Sequence, residues 1–170
     1  SGYDIACARS VSPIVYETTE DKPSFRHADF HPTFHRHLYF VYLNRKQNSK
    51  ESIRKADLAT LSSGDISKVS ELTLGLEKTD NLEEFQQLMD HHEAITGKTI
   101  HQKPVRELHF NDFAGTVKSL GAWGGDFILA ASSSPEEYVR NYFNNKNLTT
   151  IFNYGEIVLG KEFKSHGTTT

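Results

Sequence analysis

Apolar and aromatic residues crowd together from His37 to Leu43 (His-Leu-Tyr-Phe-Val-Tyr-Leu) and predict a buried strand. The polar stretch from Asn44 to Ser49 ends it, and three segments with helical spacing follow. Ser49 to Leu61 carries Ile53, Ala56 and Ala59; Asp65 to Leu76 carries Ile66, Val69, Leu72 and Leu76. Asp80 to Thr96 is the clearest, with Leu82, Phe85, Leu88, Met89, His92 and Ile95 on one stripe. Asp80 followed by Glu83 predicts a capping box, and Gly97 a C-terminal stop. Asp90 and Glu93 fall beside that stripe and are expected to face solvent.

Upstream, Ile5 to Val11, Pro13 to Thr18 and Ser24 to Phe30 read as short strands, with Ser12-Pro13 breaking the first from the second. Residues 31–37 read as a loop, and Lys98 to Phe113 as an irregular packed stretch or a short helix. Gly115 to Leu120 and Asp126 to Ser132 form a hairpin about a glycine-rich turn. Ser134-Pro135-Glu136-Glu137 opens a helix running to about Asn144: a capping serine, proline at the first helical position, acids in the first turn. Thr149 to Asn153 and Glu156 to Leu159 read as closing strands, and the polar tail from Lys161 as frayed. Strands, then helices, then hairpin, helix and strand make an α+β pattern: an antiparallel sheet with helices on one face.

Composition narrows the classes. The chain's 170 residues, 36% hydrophobic, fit one domain of ordinary size or the larger part of a two-domain protein. A net charge of −3 gives no reason to expect nucleic acid as a partner. The apolar runs are too short to span a bilayer, so no membrane partner is expected. One cysteine, Cys7, excludes an intrachain disulfide and a cysteine-based zinc site, and fits a reducing cytoplasm. Cys7 itself reads as a small buried residue rather than a nucleophile. The opening residues already look like the middle of a structure, so residues 1–170 are expected to be the later part of a longer polypeptide.

The candidate chemistry lies in two places. Asp4, between Tyr3 and Ile5 in a buried-looking strand, has two readings. It is a base that orients or deprotonates a hydroxyl attacking a phosphate, or it is a cap or turn residue after Gly2. The second place is Lys118-Ser119-Leu120-Gly121-Ala122-Trp123-Gly124-Gly125-Asp126. Its backbone N–H groups form an anion site or prop up a neighbouring phosphate loop, or the segment is a tight hairpin where glycine is ordinary. Trp123 at the tip covers a ligand or packs on another part of the protein. His92, on the apolar stripe, reads as a core or cleft residue rather than a metal ligand. His27, His31, His35 and His37 are ligand types for zinc, copper or nickel, but a loop with Pro32 lacks the rigid support that metal sites use, so no metal site is assigned.

Two motifs in order suggest a family. Ser1-Gly2-Tyr3-Asp4-Ile5-Ala6 resembles the Gly-Ser-Gly-x-Asp-x-Ala segment of GHMP kinases, the superfamily of galactokinase, homoserine kinase, mevalonate kinase and phosphomevalonate kinase. Lys118 to Gly125 resembles their third motif, Lys-x-(Ser/Thr)-Gly-Ala-Gly-x-Gly-Gly, and Met89 to Gly97 their helix with a histidine near its middle. The Gly-Tyr-Asp-Ile-Ala form resembles a bacterial subgroup, and Gly124-Gly125-Asp126 the phosphomevalonate kinase version.

The resemblance implies a ferredoxin-like α+β C-terminal domain over residues 31–163, with an antiparallel sheet covered by helices. It implies that residues 1–30 are the last strands of an N-terminal, ribosomal-S5-like lobe and residues 164–170 a disordered tail. It implies transfer of the γ-phosphoryl of ATP, with Mg²⁺, to a small-molecule acceptor such as mevalonate or phosphomevalonate. On it, Asp4 is the catalytic aspartate; Ser119, Gly121, Ala122, Trp123, Gly124 and Gly125 support the nucleotide phosphate loop; Gly2, Tyr3 and His92 line the substrate cleft. The family's principal phosphate loop, Pro-x-x-x-Gly-Leu-Gly-Ser-Ser, has no counterpart among these residues, so the rest of the N-terminal lobe is an expected partner. Leu120 and Trp123 depart from the small residues usual in the third motif. A non-catalytic α+β binding module is the alternative, and the oligomeric state, a homodimer included, is open.

Overall fold

The computed structural model describes residues 2–18, 22–44, 62–121 and 126–159. The predicted helix over 49–61, turn residues 122–125 and the tail lie outside the described residues.

The first element corrects the sequence reading. Tyr3–Arg9 is a helix, α1, not a strand beginning at Ile5. Gly2 caps it in the left-handed conformation (φ 84°), Asp4 lies in its first turn and Arg9 in its last, each favourable to the helix dipole. Strands β1 (Ile14–Thr18) and β2 (Pro23–His27) then form a two-stranded antiparallel sheet, in register from Ile14↔His27 to Thr18↔Pro23. A single turn of 3₁₀ helix at His35–His37 leads into β3 (Leu38–Tyr42), the strand predicted from its aromatic run.

Helices α2 (Ser63–Lys78) and α3 (Leu82–Thr99) pack on each other. Ser62 caps α2 through a capping box with Asp65. Asn81, not Asp80, caps α3 by accepting from the Glu84 N–H; Asp80 instead accepts from the Thr33 N–H at 2.6 Å, tying α3 to the segment before β3. Helix α4 (Val105–His109) occupies part of the stretch read as irregular. Strands β4 (Thr116–Ser119) and β5 (Phe127–Ala131) make the predicted hairpin. Helix α5 (Glu136–Asn144) and strand β6 (Ile151–Asn153) follow. The second closing strand is replaced by a short helix, α6 (Tyr154–Ile157), begun by a capping box between Asn153 and Glu156.

The main sheet is antiparallel throughout, in the order β4-β5-β3-β6. Two crossovers, β3 to β4 through the long helices and β5 to β6 through α5, give the βαββαβ order of a ferredoxin-like sheet. Both faces are covered, where the sequence pattern predicted one. Alternate residues divide strictly between two cores, as the pleat requires. Tyr39, Val41, Val117, Ile128 and Ala130 pack with Val139 and Phe143 of α5. Leu38, Phe40, Leu129 and Ala131 pack with Phe85 and Met89 of α3, together with Phe34 and Tyr154. Glu77 of α2 fastens the N-terminal hairpin to this body through a two-pronged pair with Arg26, each N···O distance 2.5 Å.

Candidate functional site

Asp4 stands at the start of α1 and is exposed, not buried as its apolar neighbours suggested. The helix explains the difference: its first turn carries free N–H groups, and a carboxylate there meets favourable charge at no desolvation cost. Beside it the Tyr3 ring meets Tyr16 of β1 edge-on, centroids 6.3 Å apart. Burial, and then the neighbouring Cys7 and Asp4, raise the Tyr3 hydroxyl above its ordinary value. A Cβ on Gly2 would approach the Tyr16 hydroxyl to 3.4 Å. Cys7 is exposed, against the sequence reading, because α1 turns only Ala6 fully inward.

The second region begins at the end of β4. Ser119 is buried, and its N–H donates to Glu93 Oε1 at 3.1 Å. The Leu120 N–H donates across the hairpin to Phe127 O at 3.1 Å. Gly121 follows at φ 61°, exposed, with nothing among the described residues within 4 Å of where a Cβ would stand. Ala122, Trp123, Gly124 and Gly125 lie outside the described residues.

Glu93 is the functional candidate that sequence reasoning missed. It was expected to face solvent; it is 2% exposed. Its Oε2 lies 3.5 Å from Lys118 Nζ, an ion pair that leaves this oxygen without a hydrogen bond. Asp90 likewise turns to the sheet, accepting from Thr116 Oγ1 at 3.2 Å and lying 3.8 Å from Arg106. Burial pushes the Lys118 ammonium below its ordinary value, and the Glu93 charge opposes that shift. His92, mostly buried on the neighbouring face of α3, is pushed down to about 4 by burial and then by the Lys118 charge. It is therefore neutral at pH 7, and Thr96 Oγ1 donates to its backbone carbonyl at 2.8 Å.

A cleft of about 250 Å³ joins the two regions, lined among others by Ile14 and Val15 of β1, Phe30, Met89, Lys118 and Leu120. It is apolar but for Lys118 and the edge of Glu77. Gly2, Tyr3, Asp4 and His92 are not among its lining residues. The structure thus brings the strand after α1 and the strand before the glycine turn to one hollow, without setting Asp4 in its wall. The histidines act separately. His27 Nδ1 lies 2.8 Å from Ser12 Oγ, His35 Nδ1 3.1 Å from Pro32 O, and His37 Nδ1 2.9 Å from Ser132 O. Among the described residues no three or more His, Cys, Asp or Glu side chains group so as to hold a metal ion.

No protein-family model matches this sequence, and no curated protein does. Two solved structures are similar in fold. The L. major mevalonate kinase, solved in complex with R-mevalonate, is 14% identical, with a TM-score of 0.59 over 82% of this chain and 47% of its own. A Lin0012 protein from Listeria innocua is 13% identical, with a TM-score of 0.59 over 76% of this chain and 41% of its own. The chain spans less than half the length of either. The fold is therefore like part of that of the mevalonate kinase, an α+β arrangement of antiparallel sheets and helices. No helix among the described residues is long and apolar enough to cross a membrane.

Proposed function

We propose that this chain is the C-terminal portion of a GHMP-type kinase, which transfers the γ-phosphoryl of ATP to a hydroxyl or phosphate of a small metabolite such as mevalonate or phosphomevalonate. The observation that carries this reading is the fold likeness to a mevalonate kinase over most of the chain. Two features support it. The Ser-Gly-Tyr-Asp-Ile-Ala segment precedes a ferredoxin-like sheet in sequence, and the Lys-Ser-Leu-Gly-Ala-Trp-Gly-Gly segment begins in its strand β4. The strands that follow the first and precede the second share one cleft. On this reading residues 1–30 close an N-terminal lobe and residues 31–163 form the C-terminal domain. Tyr3 and Ile5 of α1, Val11 after it and Phe25 of β2 leave apolar surface open around a two-stranded sheet, which is marginal alone and suits packing against further chain.

Asp4 then orients or takes the proton of the acceptor hydroxyl, a role that needs an accessible carboxylate. Residues 119–125 support the nucleotide phosphates, where positioning and charge neutralisation do most of the work of phosphoryl transfer. The described side chains provide no ready set of Mg²⁺ ligands. On this reading Mg²⁺ would be supplied with the nucleotide and would neutralise phosphate charge. The test is ADP release from this chain and from the same polypeptide extended at its amino end. The chain alone is expected to be inactive and the extended form active, with Asp4→Asn lowering kcat by at least about a hundred-fold while ATP binding persists. Strong turnover by the chain alone, or full turnover in Asp4→Asn, overturns the assignment.

The apolar cleft favours a second reading, a non-catalytic module that holds a ligand or a partner chain there. An extended polypeptide that neither binds ATP nor releases ADP selects it.

A further inference from the structure

Helix α3 sends three polar side chains to the sheet. Gln86 Nε2 donates to Ala131 O at 2.8 Å, Asp90 accepts from Thr116 Oγ1, and Glu93 accepts from the Ser119 N–H. The third contact differs in kind, because it takes up a backbone N–H of β4, the edge strand among the described residues. The Leu120 N–H points inward to β5, so by the alternation of antiparallel pairing the Ser119 N–H points outward, where no strand lies among the described residues. Ser119 is 3% exposed, which keeps that donor from bulk water. A buried N–H left unpaired is expensive, and the Glu93 carboxylate takes the place of the absent strand. Its other oxygen neutralises Lys118, whose side chain is 14% exposed beside the apolar cleft. One buried carboxylate thus holds the backbone of Ser119 and the side chain of Lys118, both within three residues of Gly121.

We propose that Glu93 is a positioning residue: it pins the outer edge of β4 at Ser119 and so sets the direction in which the chain enters the glycine-rich turn. An edge strand without this acceptor frays from its end, and the fraying segment is the one that leads into residues 121–125. The pinning stands on the geometry above. Its consequence for catalysis rests on the reading of residues 119–125 as part of a nucleotide site. Small errors in the placement of such a segment are amplified in the rate, a displacement of 1 Å costing on the order of a hundred-fold.

Removing Glu93 alone strands a buried ammonium and is expected to unfold the chain. The informative variants therefore remove both charges. In Glu93→Gln with Lys118→Met, the amide oxygen still accepts from Ser119. In Glu93→Leu with Lys118→Met, nothing does, and neither variant holds an unpaired buried charge. Amide exchange by NMR on this chain is expected to be about ten-fold faster at Ser119 in the leucine pair than in the glutamine pair, with β3 and α5 amides equal in both. Equal exchange at Ser119, or acceleration spread evenly through the sheet, overturns the pinning.

In the extended polypeptide, KM for ATP is expected to rise roughly ten-fold in the leucine pair and to return toward the wild-type value in the glutamine pair. A loss of folded protein alone lowers the apparent kcat and leaves KM in place. An unchanged KM in an active leucine pair overturns the role toward the nucleotide. If the wild-type extended form has no turnover, the kinase reading fails, and the exchange contrast decides the assignment of Glu93 by itself.

Discussion

Gly115 and Gly121 bracket β4 and require glycine for different reasons. A Cβ on Gly115 would stand 2.3 Å from Ala131 O and 2.9 Å from Phe113 Cε1. The carbonyl cannot yield freely, because Gln86 Nε2 already holds it at 2.8 Å. Around Gly121 no described residue comes within 4 Å of a Cβ, and its φ of 61° is what penalises a side chain there. Gly115→Ala is therefore expected to lower unfolding stability by about 2–4 kcal/mol, an overpacking effect. Gly121→Ala is expected to cost about 1 kcal/mol, the left-handed penalty alone. Urea unfolding of the two variants checks this, and the reverse order of cost would refute the steric argument. Glu93 shows at the same scale what the sequence hid. The run Asp90-His91-His92-Glu93 is polar, and polar residues beside an apolar helical stripe ordinarily face water. Helical spacing does place Gln86, Asp90, Glu93 and Gly97 on one side of α3. That this side faces an edge strand in need of acceptors follows from the strand order, which no local pattern reports.

Among the elements, those with enough residues to display a period were legible: β1, β3, the β4–β5 hairpin, α2, α3 and α5. The two errors of type were short. Helix α1 has seven residues, of which only Ala6 is fully buried, so its Ile5 and Cys7 mimic strand alternation while lying outside the core. Helix α6 has four residues, and its signal was the Asn153–Glu156 capping box rather than any apolar repeat. The N-terminal hairpin was read correctly as β-structure, but its attachment to α2 was not, because Arg26 and Glu77 are 51 positions apart. That attachment is specific in shape. The two terminal guanidinium nitrogens donate to the two carboxylate oxygens, one each, and the Asp29 N–H adds a third contact to Glu77 at 3.2 Å. Lysine keeps the charge and loses the fork. Arg26→Lys is thus expected to speed amide exchange at Ala28 and Asp29 several-fold, with β3 and β5 amides unchanged. Equal protection at Ala28 and Asp29 in the variant would show that the hairpin is held in place without the Arg26–Glu77 fork.

For the molecule as a whole, the same buried polar layer between α3 and the sheet shapes the response to acid. His92 is held at about 4 in the folded chain, against an unfolded value near 6.5, by burial and by Lys118. Between those two values the unfolded chain binds the proton that the folded chain refuses, so stability falls as pH drops through this interval. A second group of residues acts lower. The Arg26 pair holds the Glu77 carboxyl below its ordinary value, and hydrogen bonds from Tyr142 and Ser62 do the same for Asp112 and Asp65. Their contributions are complete above the ordinary carboxylate range and disappear as pH falls below it. Two separate declines are therefore expected in unfolding free energy, one from about pH 6.5 to 4 and one beneath that. His92→Gln removes the titrating ring and keeps a polar side chain on the same face of α3. It is expected to flatten the upper decline and leave the lower one intact. Urea unfolding curves at pH 7.5, 5.5, 4.5 and 3 resolve the two intervals. An upper decline that persists in His92→Gln would assign it to another histidine and remove His92 from the acid response. A flattened one would assign the decline between about pH 6.5 and 4 to the burial of His92 as α3 packs on the rest of the fold.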